Sequence, residues 1–357
     1  MATTVSEGAT AEGATAEGAT ADGTNPGGTN PGGSNPDGTN PDGTGANGTS
    51  AHGTSPEGLV MAEGFADELA QLKEFLSAWT AGASNEVKPL LHWQFLGRSK
   101  YFRPVTVFAC FSAMNDAPIG EPQIRVAAAI ELVHNVSLVI DDILDRSRFR
   151  RGILTMHCRF GLLPALMTSG YITADSFEIV KHNPFNTDRI AELYKRLAAA
   201  ENLQWRLRRH PLGVEDWRVI AGEDTGSMFE AAACLGTGDE KLRRYGALLG
   251  MLYHGCDDVG DVKGAVALGG GGEEDLRDGI LTLPTAIAIR DPETALLFRN
   301  PTPEGLQQLL GKLEEALPAA EAYLDSIAAE AEAEAVRVAP HPEGLIKLVR
   351  NTRRLSA

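Results

Sequence analysis

Six aspartates form the same five-residue pattern twice, Asp141-Asp142-x-x-Asp145 and Asp257-Asp258-x-x-Asp261. A helix turns once in 3.6 residues, so the first and last carboxylates of each pattern share a face, one turn apart. Three carboxylates within five residues repel one another. At the tip of an apolar helix, where water is scarce, they are tolerated when a cation neutralises them. Magnesium takes one or two carboxylates and fills its other positions with water and phosphate oxygens. The spacing therefore points to magnesium-assisted chemistry on a phosphorylated substrate. A solvated acidic helix end is the alternative for either pattern alone. Its recurrence on two separate helices argues against that alternative for the pair.

Both patterns end apolar runs, ELVHNVSLVIDDILD and ALLGMLYHGCDDVGD. His134 and Ser137 lie two turns and one turn before Asp141 on its stripe, and Tyr253 lies one turn before Asp257. They are expected to face the same space, with packing against a neighbouring helix as the alternative. Arg150 and Arg151 follow the first pattern and precede Gly152. Paired guanidinium groups suit bidentate recognition of phosphate.

The elements that must position these groups read as helices. Apolar residues recur at three- and four-residue spacing beyond Leu59. Helices are expected over 66–79, 124–144, 160–180, 187–208, 213–235, 239–260, 282–290, 303–314, 317–336 and 342–354. Pro and Gly punctuate them at Pro211–Gly213, Gly236–Gly238, Gly269–Gly272 and Pro340. No convincing alternating strand is present. The fold class is all-α, a helical bundle whose inward side chains build the site.

Residues 1–58 are of another kind. A glycine recurs every five residues from Gly8 to Gly58, with no Lys, Arg or aromatic residue. Such a segment buries too little to offset its ordering entropy, so a disordered low-complexity tail is expected there. Residues 59–357 are expected to form one helical domain. The chain carries a net charge of −16; the tail holds seven acidic and no basic residues, leaving −9 for the remainder. That balance argues against nucleic acid or an anionic membrane surface as partner. No apolar run reaches bilayer-spanning length. Cys110, Cys158, Cys234 and Cys256 show neither zinc nor disulfide spacing. They read as buried thiols of a cytoplasmic protein. His254 reads as a satisfied core histidine, and the runs Arg206–His210 and Arg350–Arg354 as solvated helix ends.

With these motifs in order, the chain resembles the trans-isoprenyl diphosphate synthases over roughly residues 90–290. GRSKYFRP is similar to the family's GGKRxRP segment, and ELVHNVSLVIDDILD to its His and first DDxxD. RFRRGILTMH is similar to RRGxPxxH, and DLRDGILTLP to DLxxGKxTLP. DTGSMF and YHGCDD stand where the family has KTxxLF and FQxxDD. The resemblance implies an isoprenoid-synthase bundle around a central apolar cavity, acting as a homodimer. It implies that Asp141, Asp142, Asp145, Asp257, Asp258 and Asp261 hold about three Mg²⁺ ions, bound together with the substrate's phosphates. It places Lys100, Arg103, His134 and Arg151 around isopentenyl diphosphate, and Arg150 at the allylic diphosphate. Small residues at Val136 and Ser137 imply a product of about C20 in that family.

Three family lysines are missing. The first position holds Asp224, the second aligns with Gly270 and the third with Ile280. The expected reaction is condensation of an allylic diphosphate with isopentenyl diphosphate, with Arg243, Arg244 or the metals replacing the lysines. A terpene cyclase or a prenyltransferase to another acceptor is the second reading. A regulatory subunit of a heteromeric synthase is the third. The class I cyclases carry a different second motif, N-D-x-x-S-x-x-x-E, which is absent from this sequence.

Overall fold

A computed structural model describes residues 63–95, 99–264 and 272–356. The expected tail, Gly97 and Gly270 lie outside the described residues. Fifteen α-helices dominate what is described. The first half contains α1 (Ala66–Gly82), α2 (Lys88–Gln94), α3 (Phe102–Met114), α4 (Glu121–Leu144), α5 (Met156–Phe160), α6 (Leu162–Val180) and α7 (Pro184–Leu207). The second half contains α8 (Val214–Ala221), α9 (Ser227–Thr237), α10 (Arg243–Val262), α11 (Gly272–Asp278), α12 (Leu283–Ala288), α13 (Pro292–Arg299), α14 (Pro303–Val338) and α15 (Glu343–Arg353). The all-α class is as expected. No described helix is long and apolar enough to cross a membrane.

The central element is α4. Pro122 sits in its first turn, where a missing N–H costs nothing, and the Gln123 side chain accepts from the Gly120 N–H at 3.1 Å. Ala127, Ala128, Ala129 and Ile130 are fully buried. Small residues on successive faces let α3, α6 and α9 all pack against this helix. It therefore reaches its acidic tip with neighbours on most sides.

Several expectations change. The segments 303–314 and 317–336 form one helix, α14, with Pro318 inside it. Proline removes one hydrogen bond and crowds the preceding turn. Here Leu309 and Leu313 before it and Ala320, Leu324 and Ile327 after it are all buried, so packing on both sides outweighs that cost. The expected helix 213–235 is divided by a π-helical turn, Gly222–Gly226, between α8 and α9. Such widened turns recur at functional sites. A two-stranded hairpin pairs β1 (Phe149–Arg150) with β2 (Ile153–Leu154). Its central residues, Arg151 and Gly152, both have positive φ (51° and 78°), the tight turn that matches strand twist. Cys110, Cys234 and Cys256 are buried, but Cys158 on the short α5 is exposed, against the expectation.

Gly250 on α10 sets a close approach in the site's foundations. A Cβ there would lie 2.7 Å from both the Thr225 carbonyl oxygen and the Gly226 Cα. Only glycine lets α10 press against the π turn, and that contact brings His254 beside Asp224 and Thr225.

Candidate active site

A cavity of about 790 Å³ opens between α3, α4, the β1–β2 hairpin, α7, the π turn and α10. Of the expected metal-binding groups, Asp141, Asp145 and Asp257 line it. The two acidic helix ends thus face one space. Asp142 and Asp258 turn away from it. Asp142 is buried and accepts from Arg150 Nε at 2.7 Å. Asp258 accepts from Trp217 Nε1 and from the Leu283 N–H, both at 2.8 Å. Asp261 does not line the cavity and acts on Asp257 and Asp275 through its charge. Within each motif, the first carboxylate faces the cavity and the adjacent one anchors the helix.

The expected substrate-binding residues Lys100, Arg103, His134, Ser137, Arg150, Arg151 and Tyr253 all line the cavity. Arg103 is buried: its Nε contacts Met228 Sδ at 3.0 Å and its guanidinium lies over the Phe229 ring at 5.2 Å. Its Nη1 donates to His134 Nε2 at 3.2 Å. That contact assigns the imidazole proton to Nδ1, which is buried with no partner. Burial, then Arg103 and Arg151, hold His134 well below the ordinary histidine value. It is a neutral donor inside a cationic pocket. Tyr253 packs on Phe102 and Phe229 at 5.1 and 5.4 Å.

The acidic side is under electrostatic stress. Burial, then Glu201 and Asp224, push Asp141 well above the usual carboxylate range. Burial, then Asp261, raise Asp257 to about 7. Burial, then Asp258 and Asp261, raise Asp275 to about 8. Burial, then Asp224 and Asp145, raise Glu201 to about 7. No three carboxylate, imidazole or thiol groups among the described residues are gathered closely enough to enclose a metal ion. The donor set nonetheless fits magnesium. Each ion needs only one or two carboxylates when a diphosphate supplies the rest, and a cation relieves the repulsion just described.

Sequence reasoning missed one wall. Tyr194, Leu197, Glu201, Gln204 and Trp205 line the cavity from α7, and Arg208 from the residue that caps its end. Their three- and four-residue spacing was the available signal. Arg208 is not part of a solvated helix end: its Nη2 reaches Asp145 Oδ1 at 3.2 Å. Arg243 and Arg244 do not replace the lost lysines. Arg243 pairs with Glu192, Glu230 and Glu240, Arg244 lies near Glu330 and Glu334, and neither lines the cavity. Arg353 is held by Asp325 at 2.7 Å and by Glu321. Asp224 and Ile280, at two lysine positions, do line the cavity. His254, expected as a core histidine, lines it too.

A carboxylate-flanked cavity in an all-helical bundle is the architecture of a class of enzymes that act on isoprenoid diphosphates. The profile of the family described as polyprenyl synthetase matches residues 86–309, and the chain belongs to that family. It is 28% identical over 224 residues to geranylgeranyl pyrophosphate synthase 4 of Arabidopsis thaliana, covering 56% of this chain and 59% of that one. The match thus spans under two thirds of that relative's length. Heptaprenyl diphosphate synthase of Staphylococcus aureus superposes with a TM-score of 0.74 at 20% identity, over 80% of this chain and 97% of that one. Polyprenyl synthase of Caulobacter crescentus, solved with calcium and isoprenyl diphosphate, gives 0.74 at 23% identity, over 85% and 98%. At these identities the structural likeness establishes the fold.

Proposed function

We propose that the protein condenses an allylic diphosphate with isopentenyl diphosphate to give a longer linear isoprenyl diphosphate. The observation that carries this reading is the division of one cavity into a cationic pocket and an acidic face. Lys100, Arg103, Arg151 and His134 form the pocket, which suits the diphosphate of a substrate that keeps it. Asp141, Asp145 and Asp257 form the face, which suits a diphosphate that leaves. Magnesium, held by these three aspartates, would supply charge neutralisation to the leaving group. The crystallised relative's calcium and isoprenyl diphosphate support this.

The reaction breaks the C1–oxygen bond of the allylic diphosphate and releases pyrophosphate. The isopentenyl double bond attacks C1, forming the new carbon–carbon bond. A proton is then lost to the departing pyrophosphate. Arg103 and His134 orient the isopentenyl diphosphate, and the apolar lower wall, with Val136, Leu197 and Met228, keeps water from the cationic carbon. The open space beside Val136 and Ser137 supports a product of about C20. A homodimer is supported by the exposed α6 residues Leu162, Leu163 and Met167, at 53%, 68% and 65% exposure. The three buried, unpaired thiols suit a reducing cytoplasm.

One observation favours a second reading, cyclisation or transfer to another acceptor. Asp224 places an extra carboxylate in the wall facing Asp141. Incubation with Mg²⁺ and dimethylallyl, geranyl, farnesyl or geranylgeranyl diphosphate, with and without isopentenyl diphosphate, separates the two. Mass spectrometry of hydrocarbons and dephosphorylated alcohols is the readout. Elongated alcohols that require isopentenyl diphosphate support the first reading; products from the allylic substrate alone support the second.

A further inference from the structure

The cations of the cavity wall are unevenly distributed. Lys100, Arg103, Arg150 and Arg151 enter from α3 and the hairpin, whereas Asp141, Asp145, Glu201, Asp224, Asp257 and Asp275 face them. Among the described residues, Arg208 is the one cation that enters the wall from the end of α7.

Its position is built by the chain around it. Arg209, immediately after, has φ = 65°, an unfavourable value for a residue with a Cβ. The turn is secured because the Arg209 N–H donates to the Gly279 carbonyl at 2.8 Å, and its Nη1 donates to the Leu276 and Phe298 carbonyls at 3.0 and 3.3 Å. The Arg209 side chain lies across Gly279, whose own φ is 75°; a Cβ there would approach Arg209 to 2.8 Å. The end of α7 is thereby fastened to the 275–280 segment, with Arg208 turned inward. Its guanidinium stacks on Trp205 at 4.2 Å.

The bonds that Arg208 makes do not account for this construction. Nη2 has one 3.2 Å bond to Asp145, whose side chain is 41% exposed. Nη1 is 3.9 Å from Asp278, beyond hydrogen-bonding distance. Nε is buried and has no partner. A half-exposed ion pair of this kind adds little to stability. A guanidinium offers five donors in a planar fork, matched to two oxygens of a phosphoryl group.

We infer that Arg208 is a diphosphate-binding residue, gripping the leaving pyrophosphate from the α7 side of the cavity mouth. This rests on the reading of the site as a diphosphate site. Arg208 holds Asp145; with diphosphate bound, the guanidinium passes to the phosphoryl oxygens, and Asp145 would be available to hold a divalent cation. The same residue supplies positive charge on the wall where Asp224 and Ile280 supply none.

The test is calorimetric binding of inorganic pyrophosphate to the full chain, with and without Mg²⁺, which needs no turnover. Arg208→Gln is expected to weaken binding at least tenfold in both conditions, and Arg208→Lys by an intermediate factor. Arg206→Gln, at the exposed neighbour, is expected to bind as wild type. In steady-state assays Arg208→Gln raises KM for the allylic diphosphate at least tenfold and leaves KM for isopentenyl diphosphate within twofold. A strut would instead change the melting temperature and both KM values together. Pyrophosphate binding by Arg208→Gln or by a folded Arg208→Lys that matches wild type overturns the inference. Arg208-dependent binding in a protein that does not elongate leaves the inference standing and removes the elongation reading.

Discussion

Oδ2 of Asp224 lies 3.5 Å from Nδ1 of His254, and the Thr225 hydroxyl lies 3.0 Å from the same nitrogen. Nε2 of that imidazole is 3.8 Å from Asp258. Burial opposes a charge on His254, but Asp258, Asp224, Asp257 and Asp275 outweigh it and raise its pKa. Where the resembling family has lysine and glutamine, this chain has a carboxylate and a histidine in one network. Both side chains line the cavity, the imidazole held by carboxylates.

Asp224→Asn should therefore favour diphosphate binding. It removes a like charge from beside the incoming anion and keeps a polar partner for Thr225 and His254. The expected change is a fall in KM for the allylic diphosphate of about three- to tenfold. KM for isopentenyl diphosphate should stay within twofold, because its pocket lies at Arg103 and His134. A rise in the allylic KM would mean that Asp224 works for the substrate and that the charge reversal is functional.

Adjacent carboxylates of the second motif should respond oppositely to removal. Asp258 satisfies a buried indole N–H and a buried backbone N–H, so Asp258→Ala leaves both unpaired. A loss of about 2–4 kcal/mol follows. Asp257 is pushed upward by burial and by Asp261, so Asp257→Ala removes a destabilising charge at neutral pH. Thermal unfolding in EDTA should show a lowered midpoint for the first variant and an unchanged or raised one for the second. Equal losses in both would contradict the division into anchor and cavity-facing residue.

Metal-free stability should fall as pH rises from 6.5 to 8.5. Asp257 (about 7) and Asp275 (about 8) have folded values far above their ordinary 3.8. In that window the unfolded chain has already released these protons while the folded chain still binds them. The slope of unfolding free energy with pH is then negative. His254, raised from 6.5, contributes with the same sign. His134, held below 6.5, contributes its opposite slope mainly beneath the window, and it fades within the window's first unit as the unfolded imidazole loses its proton. The expected loss is about 1–2 kcal/mol, read as a falling melting temperature in EDTA. Mg²⁺ with pyrophosphate should flatten the profile, because bound cations replace the protons. A metal-free profile that rises through the window would sink this account.

The aspartate tips were legible because their chemistry lies in spacing alone: two equal patterns ending two apolar runs. Arg150 and Arg151 were legible for the same reason, although Arg150's bond to Asp142 was not. The α7 wall was harder to see. Glu201, Gln204, Trp205 and Arg208 are unlike in charge and size, so no single type repeats, and a mixed polar stripe resembles a solvated helix face. Only the packing of α7 beside α4 shows which side is inward. Arg209 reads as one more surface charge, since its role depends on Gly279, 70 positions later. The π turn at Gly222–Gly226 escaped notice because its residues fit an ordinary helix. Its widening follows from the tight approach of α10 at Gly250.

Tyr194 should limit product length. It lies seven residues before Glu201 on the cavity stripe of α7, which at 1.5 Å per residue puts it about 10 Å deeper. Its ring stacks on Phe177 at 5.8 Å, and its hydroxyl is 3.4 Å from Ser176, both on α6. The side chain thus closes the gap between α6 and α7 beneath the growing chain. Val136, Ser137 and Ala198, which also line the cavity, are too small to do so. Tyr194→Ala opens that end, while the carboxylates, Arg103 and Arg208 remain in place. Chromatography and mass spectrometry of the dephosphorylated products should show a shift upward by at least one five-carbon unit, with kcat for the first addition within about threefold. An unchanged product distribution in a folded, active variant would place the length-limiting contact elsewhere, at the α4 side of the cavity, which Val133 and Val136 line.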